Sequence, residues 1–288
     1  MKFIIDNYVT HNHTQPLYFH KHINEYEQHE AILLNNHGQG TYDTFDKIKP
    51  DVYITSASIL SHEAIQYLSE TPILTAINVQ AIKASEALVL EEIIRDKKIN
   101  CAFFFGNHHK RVEPNTKRIR FNRIMDCADL NLTIGESKLK YEVEKLILCS
   151  GDVEIKNYGE TFHISSTDPE LKGAIDFTLP IHLIKTLYAN YKEIIVADCN
   201  YSLTQCFFDA LSLGKKVYYD VINKSEREVI QKTIQKLFGE EYELSYAEDN
   251  KTNDFSKIQE IVLEKHTSRN RTKQLLSQIP NALPVNNG

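Results

Sequence analysis

The chain has 288 residues, with 33 Lys and Arg against 39 Asp and Glu, a formal net charge of −6 at pH 7. Its 42% hydrophobic content is enough for a packed core and argues against global disorder, while the acidic balance argues against a nucleic-acid backbone as main partner. Ten glycines and eight prolines exclude a collagen-like or Gly-rich repeat and foretell few glycine-built phosphate loops.

Short apolar runs alternate with amphipathic stretches along the chain. Residues 2–6 (KFIID) predict a buried strand. A helix over 16–29 opens on Pro16 and spaces Leu17, Ile23 and Tyr26 on one side. Strands are expected at 31–34 (AILL), 51–56 (DVYITS) and 73–78 (ILTAIN), with a helix over 61–69 capped by Ser61. A long helix over 81–96 leads to a strand at 101–105 (CAFFF), and a polar, basic stretch fills 107–120.

The rhythm then resumes: a strand at 129–134, a helix at 137–147 and a strand at 161–165. A helix over 180–190 starts at Pro180 and leads to a strand at 193–198 (EIIVAD). A helix at 202–213 and a strand at 216–221 follow. Two helices, 225–238 and 254–278, close the sequence. Short strands of this kind alternating with helices signal parallel sheets covered on both faces. The expected fold is α/β with two doubly wound Rossmann-like domains facing across a cleft. The first spans 1–125 and the second 126–288, with the boundary near 122–128. A single eight-fold barrel is the competing architecture for this length.

The five cysteines are odd in number and form no C-x-x-C pair, which argues against a zinc ribbon or a disulfide framework. The first residues lack the apolar stretch of a signal peptide, and no window is apolar enough for a membrane span. A cytoplasmic location follows, with room for peripheral membrane contact. No G-x-x-x-x-G-K-[ST], G-x-G-x-x-G or G-x-S-x-G occurs, so a P-loop NTPase, a dinucleotide dehydrogenase and an α/β-hydrolase lose support.

The most informative segment is 193–220. A strand ends at Asp198, a polar turn follows, and a helix begins near Ser202. The start of a helix offers unpaired N–H groups and a positive dipole end, which suit a diphosphate. The run Phe208–Asp209–Ala210–Leu211–Ser212–Leu213–Gly214–Lys215–Lys216–Val217 resembles the nucleotide-sugar signature of GT-B glycosyltransferases. Asp46-Lys-Ile-Lys-Pro50-Asp51 resembles a strand approach in CgeB-like members, and the layout is similar to glycosyltransferase family 1. The resemblance implies a metal-independent enzyme with no resident cofactor. It would move a sugar from a nucleotide-diphosphate sugar to a carbohydrate or lipid-linked hydroxyl acceptor in bacterial surface polysaccharide or glycoconjugate synthesis. It implies Ser202, Leu203 and Thr204 at the donor diphosphate and Asp209, where relatives carry Glu, at the ribose. Ser165 and Ser166 would lie on the nucleotide side, with Lys172 the nearest candidate for the basic donor residue.

In the first half, loops at the carboxyl ends of strands point into the ligand crevice. His11 and His13 stand in the first such loop, where a histidine can take a proton from an acceptor hydroxyl. Ser56 and Ser58 follow the third strand and His108 the fifth, all on the expected acceptor side. Two alternatives stay open. His11-x-His13 also resembles the metal pair of a hydrolase, and the chain can equally be a non-catalytic two-lobed binding subunit.

Overall fold

The computed structural model describes residues 1–9, 14–35, 41–79, 89–90, 92–94, 96–97, 99–105, 122–124, 127–132, 134, 143–150, 163–166, 184–198, 205–220, 224–240, 242–243 and 253–279. The chain divides into two compact units: Met1–Asp126 with Ser268–Gly288, and Cys127–Thr267.

The first unit is built on a six-stranded, all-parallel sheet. Its strands are β1 (Lys2–Asp6), β2 (Glu30–Leu34), β3 (Val52–Ser56), β4 (Leu74–Asn78), β5 (Cys101–Phe105) and β6 (Asn122–Ile124), in the order β2-β1-β3-β4-β5-β6. β3 and β4 are buried along their whole length, the polar Thr55, Ser56, Thr75 and Asn78 included. The order reverses at β1, so the crevice of this sheet lies beyond the carboxyl ends of β1 and β3.

Among the described residues three helices precede β4. α1 (Gln15–Ile23) stops at Asn24, five residues before the predicted end. The Asn24 side chain explains the stop: its amide donates to Ala31 O and its Oδ1 accepts the Ala31 N–H, tying the helix end to β2. α2 (Thr41–Ile48) was not foreseen. It ends at Lys49, which takes a left-handed φ of 52° just before Pro50. Phe45 of α2 packs edge-on against Tyr53, with ring centroids 4.8 Å apart, in a core with Ile4, Leu68, Ile77 and Ile94. α3 (His62–Ser69) has the predicted cap: Ser61 Oγ accepts the Ala64 N–H at 3.1 Å. β6 is a further strand that the polar stretch around it concealed.

The second unit carries a four-stranded parallel sheet of β7 (Lys145–Ser150), β8 (His163–Ser166), β9 (Glu193–Asp198) and β10 (Lys216–Asp220), in the order β10-β9-β7-β8. Its helices are α4 (Ile184–Ala189), α5 (Gln205–Ser212), α6 (Lys224–Phe238) and α7 (Phe255–Lys265). Two sequence expectations are corrected here. The segment 145–147, expected to end a helix, opens β7, because β8 and β9 flank it and bury Leu146 and Ile147 completely. Residues 129–132 form a turn, not a strand. Asp129 Oδ1 accepts the backbone N–H of Asn131 at 3.0 Å and its side-chain amide at 2.8 Å, an Asx arrangement that bends the chain.

The expected helix over 254–278 is two helices. α7 stops at Lys265, and α8 (Ser268–Gln278) follows after His266 and Thr267. His266 leaves helical geometry at φ −120° and ψ 45°, its carbonyl accepts the Ala128 N–H at 2.8 Å, and Ala128 and Thr267 form a parallel bridge. α8 belongs to the first unit, where it packs on α1: Arg269 pairs with Glu25 at 2.9 Å, and His22 Nε2 lies 3.2 Å from Ser268 Oγ. The second unit therefore ends at Thr267, and not at residue 288.

Candidate functional site

In the first unit a buried polar cluster sits where β1, β3 and β4 end. β3 alternates its side chains, so Tyr53 and Thr55 share a face, and both hydroxyls donate to Oδ2 of Asp6 on the neighbouring β1; the Thr55 bond is 2.7 Å. Asn78, the last residue of β4, donates its amide to Gln15 Oε1, which also accepts the Tyr8 hydroxyl at 3.1 Å. Ser56 and Ser58, predicted together, are together: their hydroxyls are 2.9 Å apart, Ser56 buried and Ser58 exposed. The Ala57 N–H donates to Asn78 O at 2.8 Å and fixes that turn against β4. This unit thus presents hydroxyls on a floor whose hydrogen bonds are largely satisfied from within.

In the second unit α5 follows β9, and each of its eight residues is buried. Phe207 packs edge-on against Phe208 and Tyr219. Asp209 is 2% exposed. Its Oδ1 accepts the Asp129 N–H at 2.8 Å and lies 3.3 Å from Lys185 Nζ; its Oδ2 accepts from Gln205 Nε2 at 3.2 Å. Burial pushes the Asp209 carboxyl up from 3.8 to about 7; Lys185 pulls the other way, and the charge of Asp129 adds to the rise. The same burial, with the charges of Cys206 and Asp209, raises the Tyr188 phenol well above its usual range.

The far end of α5 is equally fixed. Gly214 takes φ +69°, Gln259 Nε2 donates to Ser212 O at 2.9 Å, and Lys215 Nζ donates to Ala189 O at 2.8 Å. The left-handed turn lets the chain leave the helix and enter β10 at once.

The carboxylate expected to hold a ribose is therefore engaged inside the protein at both oxygens, and a ribose contact would have to displace the Gln205 amide. Ser165 and Ser166 are the last two residues of β8, level with Leu148 and Cys149 of β7. His11, His13, His108, Lys172, Ser202, Leu203 and Thr204 lie outside the described residues. Among the described residues no group of three His, Cys, Asp or Glu can hold a metal ion, and no helix is long and apolar enough to cross a membrane.

Sequence reasoning missed Lys185, Asp6, Gln15 and Asn78. Asp6 and Asn78 did leave a signal: each is a polar residue at the carboxyl end of a largely apolar strand, at a crevice edge. Lys185 left none, since an isolated lysine in a helical run reads as a solvated group.

No protein-family profile matches the chain, and no curated protein matches it in sequence. Solved structures do match over nearly its full length. One is the glycosyltransferase SsfS6 of Streptomyces sp. SF2575, with a TM-score of 0.51 and 9% identity, covering 96% of this chain and 99% of that one. Another is MnaA of S. aureus in a co-structure with UDP, with a TM-score of 0.51 and 8% identity, covering 98% and 96%. At such identities the likeness establishes the fold, two Rossmann-like domains of the GT-B type.

Proposed function

We propose that the chain transfers a sugar from a nucleotide-diphosphate sugar to a hydroxyl acceptor, with the donor bound by the second unit and the acceptor by the first. One observation carries this reading. α5, which bears Asp209 and Ala210 and ends just before Gly214, follows β9, and β9 and β7 flank the point where the order of a parallel sheet reverses. Such points are where open α/β sheets take phosphate-bearing ligands. The UDP seen with MnaA, a protein of the same fold, agrees with that ligand class.

In this reading the backbone N–H groups around Ser202, Leu203 and Thr204 stabilise charge on the departing diphosphate, and Lys172, Ser165 and Ser166 complete the donor side. The anomeric carbon–phosphate oxygen bond breaks while the acceptor oxygen forms the new bond to that carbon. His11 or His13 takes the acceptor proton. Ser56, Ser58 and His108 orient the acceptor, a carbohydrate or lipid-linked hydroxyl of bacterial surface polysaccharide or glycoconjugate synthesis. The reaction so written uses no metal and no resident cofactor, and its setting is the cytoplasm.

Calorimetry with UDP, TDP, GDP, ADP and CDP at millimolar concentration tests the donor half. One of the five should bind and raise the melting temperature. Binding by none would remove the transferase reading. Incubation with the matching nucleotide sugar should then release nucleoside diphosphate, slowly to water and faster with an acceptor.

A further inference from the structure

A chain of buried polar groups in the first unit ends at the serine pair. Gln15, the first residue of α1, is 1% exposed, and its Oε1 accepts both the Tyr8 hydroxyl at 3.1 Å and the side-chain amide of Asn78. Asn78 closes β4 directly opposite Ser56, the last residue of β3. Its backbone carbonyl accepts the Ala57 N–H at 2.8 Å and the Ser56 hydroxyl at 3.5 Å. Ser56 then holds the rest of the turn: its Oγ accepts the Ser58 N–H at 3.4 Å, and its carbonyl accepts the Ile59 N–H at 3.1 Å.

Asn78 therefore works in two directions. Its side chain is fixed by α1, and its carbonyl fixes the turn after β3. β3 lies between β1 and β4, so the amide contact reaches past the end of the strand from which the serine turn rises. Gln15, Asn78 and Ser56 are buried, while Ser58 is exposed. The buried members cannot themselves meet a ligand, but their hydrogen bonds are directional and set where the one exposed hydroxyl stands.

We propose that Gln15 and Asn78 are positioning residues for the sugar acceptor, which fix the Ser58 hydroxyl at the crevice of the first unit through the Asn78 carbonyl. This rests on the reading of Ser56 and Ser58 as acceptor-side groups. Without Oε1 of Gln15 the Asn78 amide loses this partner, the last peptide of β4 is less constrained, and the Ala57–Ile59 amides loosen with it.

Two measurements on the full chain test this. In Gln15→Leu, which accepts neither donor, the amides of 57–59 should exchange about fivefold faster while those of 52–54 keep their rate. The second is transfer from the nucleotide sugar to p-nitrophenyl glucoside, galactoside or N-acetylglucosaminide, whichever accepts. KM for the glycoside should rise about fivefold in Gln15→Leu and in Asn78→Leu, and no further in the double variant, while donor hydrolysis without glycoside is unchanged. Tyr53→Phe, which loses a buried hydrogen bond outside this chain of groups, should move neither readout. Should Gln15→Leu not fold, Asn78→Ser, too short to reach Gln15, takes its place. Unchanged exchange at 57–59, or a glycoside KM that stays fixed where Ser58→Ala raises it, would overturn the positioning role and leave the serine pair at the acceptor. If Ser58→Ala does not move KM, or none of the three glycosides accepts sugar, the acceptor reading fails and this proposal with it.

Discussion

Lys185 Nζ stands 3.3 Å from Oδ1 of Asp209, and the two side chains are only 3% and 2% exposed. Removing one partner leaves the other buried without its counter-charge, which typically costs about 3–5 kcal/mol. Asp209→Ala and Lys185→Met should each lower unfolding stability by amounts of that order. The double variant Asp209→Leu with Lys185→Met should recover most of the loss, because neither member of the pair is then left without its counter-charge. Urea unfolding of the four proteins checks this; additive losses would contradict it.

The raised carboxyl of Asp209 fixes the sign of a pH effect. The unfolded chain releases this proton near 3.8, while the folded chain holds it until about 7. The folded state therefore binds the extra proton between these values, and stability from this group is full below them and falls as pH rises toward 7. The stability of the native chain minus that of Asp209→Asn should decline from pH 4 to pH 7 and level off above. A difference that grows over this range would show the carboxyl to be lowered instead.

Gly214 is held by two separate constraints. Its φ of +69° disfavours any side chain, and a Cβ there would come within 2.9 Å of Gln259 Oε1. Gly214→Ala should cost roughly 1–2 kcal/mol in thermal unfolding, from left-handed strain and the displaced Gln259 cap. Adding Gln259→Ala should relieve the contact and leave the backbone cost.

The acceptor side is tested by the serine pair. Ser56→Ala and Ser58→Ala remove hydroxyls 2.9 Å apart at the crevice edge of the first unit. In the proposed reaction they should raise the acceptor KM about tenfold, the usual effect of losing a hydrogen bond worth about 1.5 kcal/mol. Nucleotide binding should stay unchanged. A loss of nucleotide binding instead would place these hydroxyls on the donor side.

Tyr53→Phe separates fold from function in the same unit. It removes one of two hydroxyls held by the buried Asp6 carboxylate and should cost about 1–3 kcal/mol of stability. Acceptor KM should hardly move, because Tyr53 is buried on the strand and the serines follow it.

The strands were legible where they are buried on both faces, because unbroken apolar runs such as Val52–Ile54 and Ile194–Ala197 have one stable use in a parallel sheet. β7 was misread because Leu-Ile-Leu suits a helix as well as a strand, and the Lys- and Glu-rich approach tilted the reading toward helix. α2 hid behind Pro50 and the short 3-residue spacing of Tyr42, Phe45 and Ile48. The break at His266–Thr267 could not be seen locally, since its cause is Ala128, well over a hundred residues away in sequence. The run around Asp209 stood out by its pattern, and the fold carries it on α5 directly after β9. Its partner Lys185 did not stand out, because burial of a lysine depends on a charge that only the folded chain brings near. The Asp6 cluster likewise needs two strands, far apart in sequence, in register before its hydroxyls meet one carboxylate.

The return of α8 to the first unit has a consequence for making this protein in pieces. Residues 127–267 form an uninterrupted stretch whose two ends lie side by side at the Ala128–Thr267 bridge, so this stretch is the natural one to clone by itself. The other half cannot be obtained by simple truncation: it needs 1–126 spliced to 268–288 through a short linker. During synthesis the ribosome releases the inserted half before the helix that completes the outer one, so the outer half must wait for its last segment. Trimming the carboxyl-terminal residues would therefore damage the amino-terminal half.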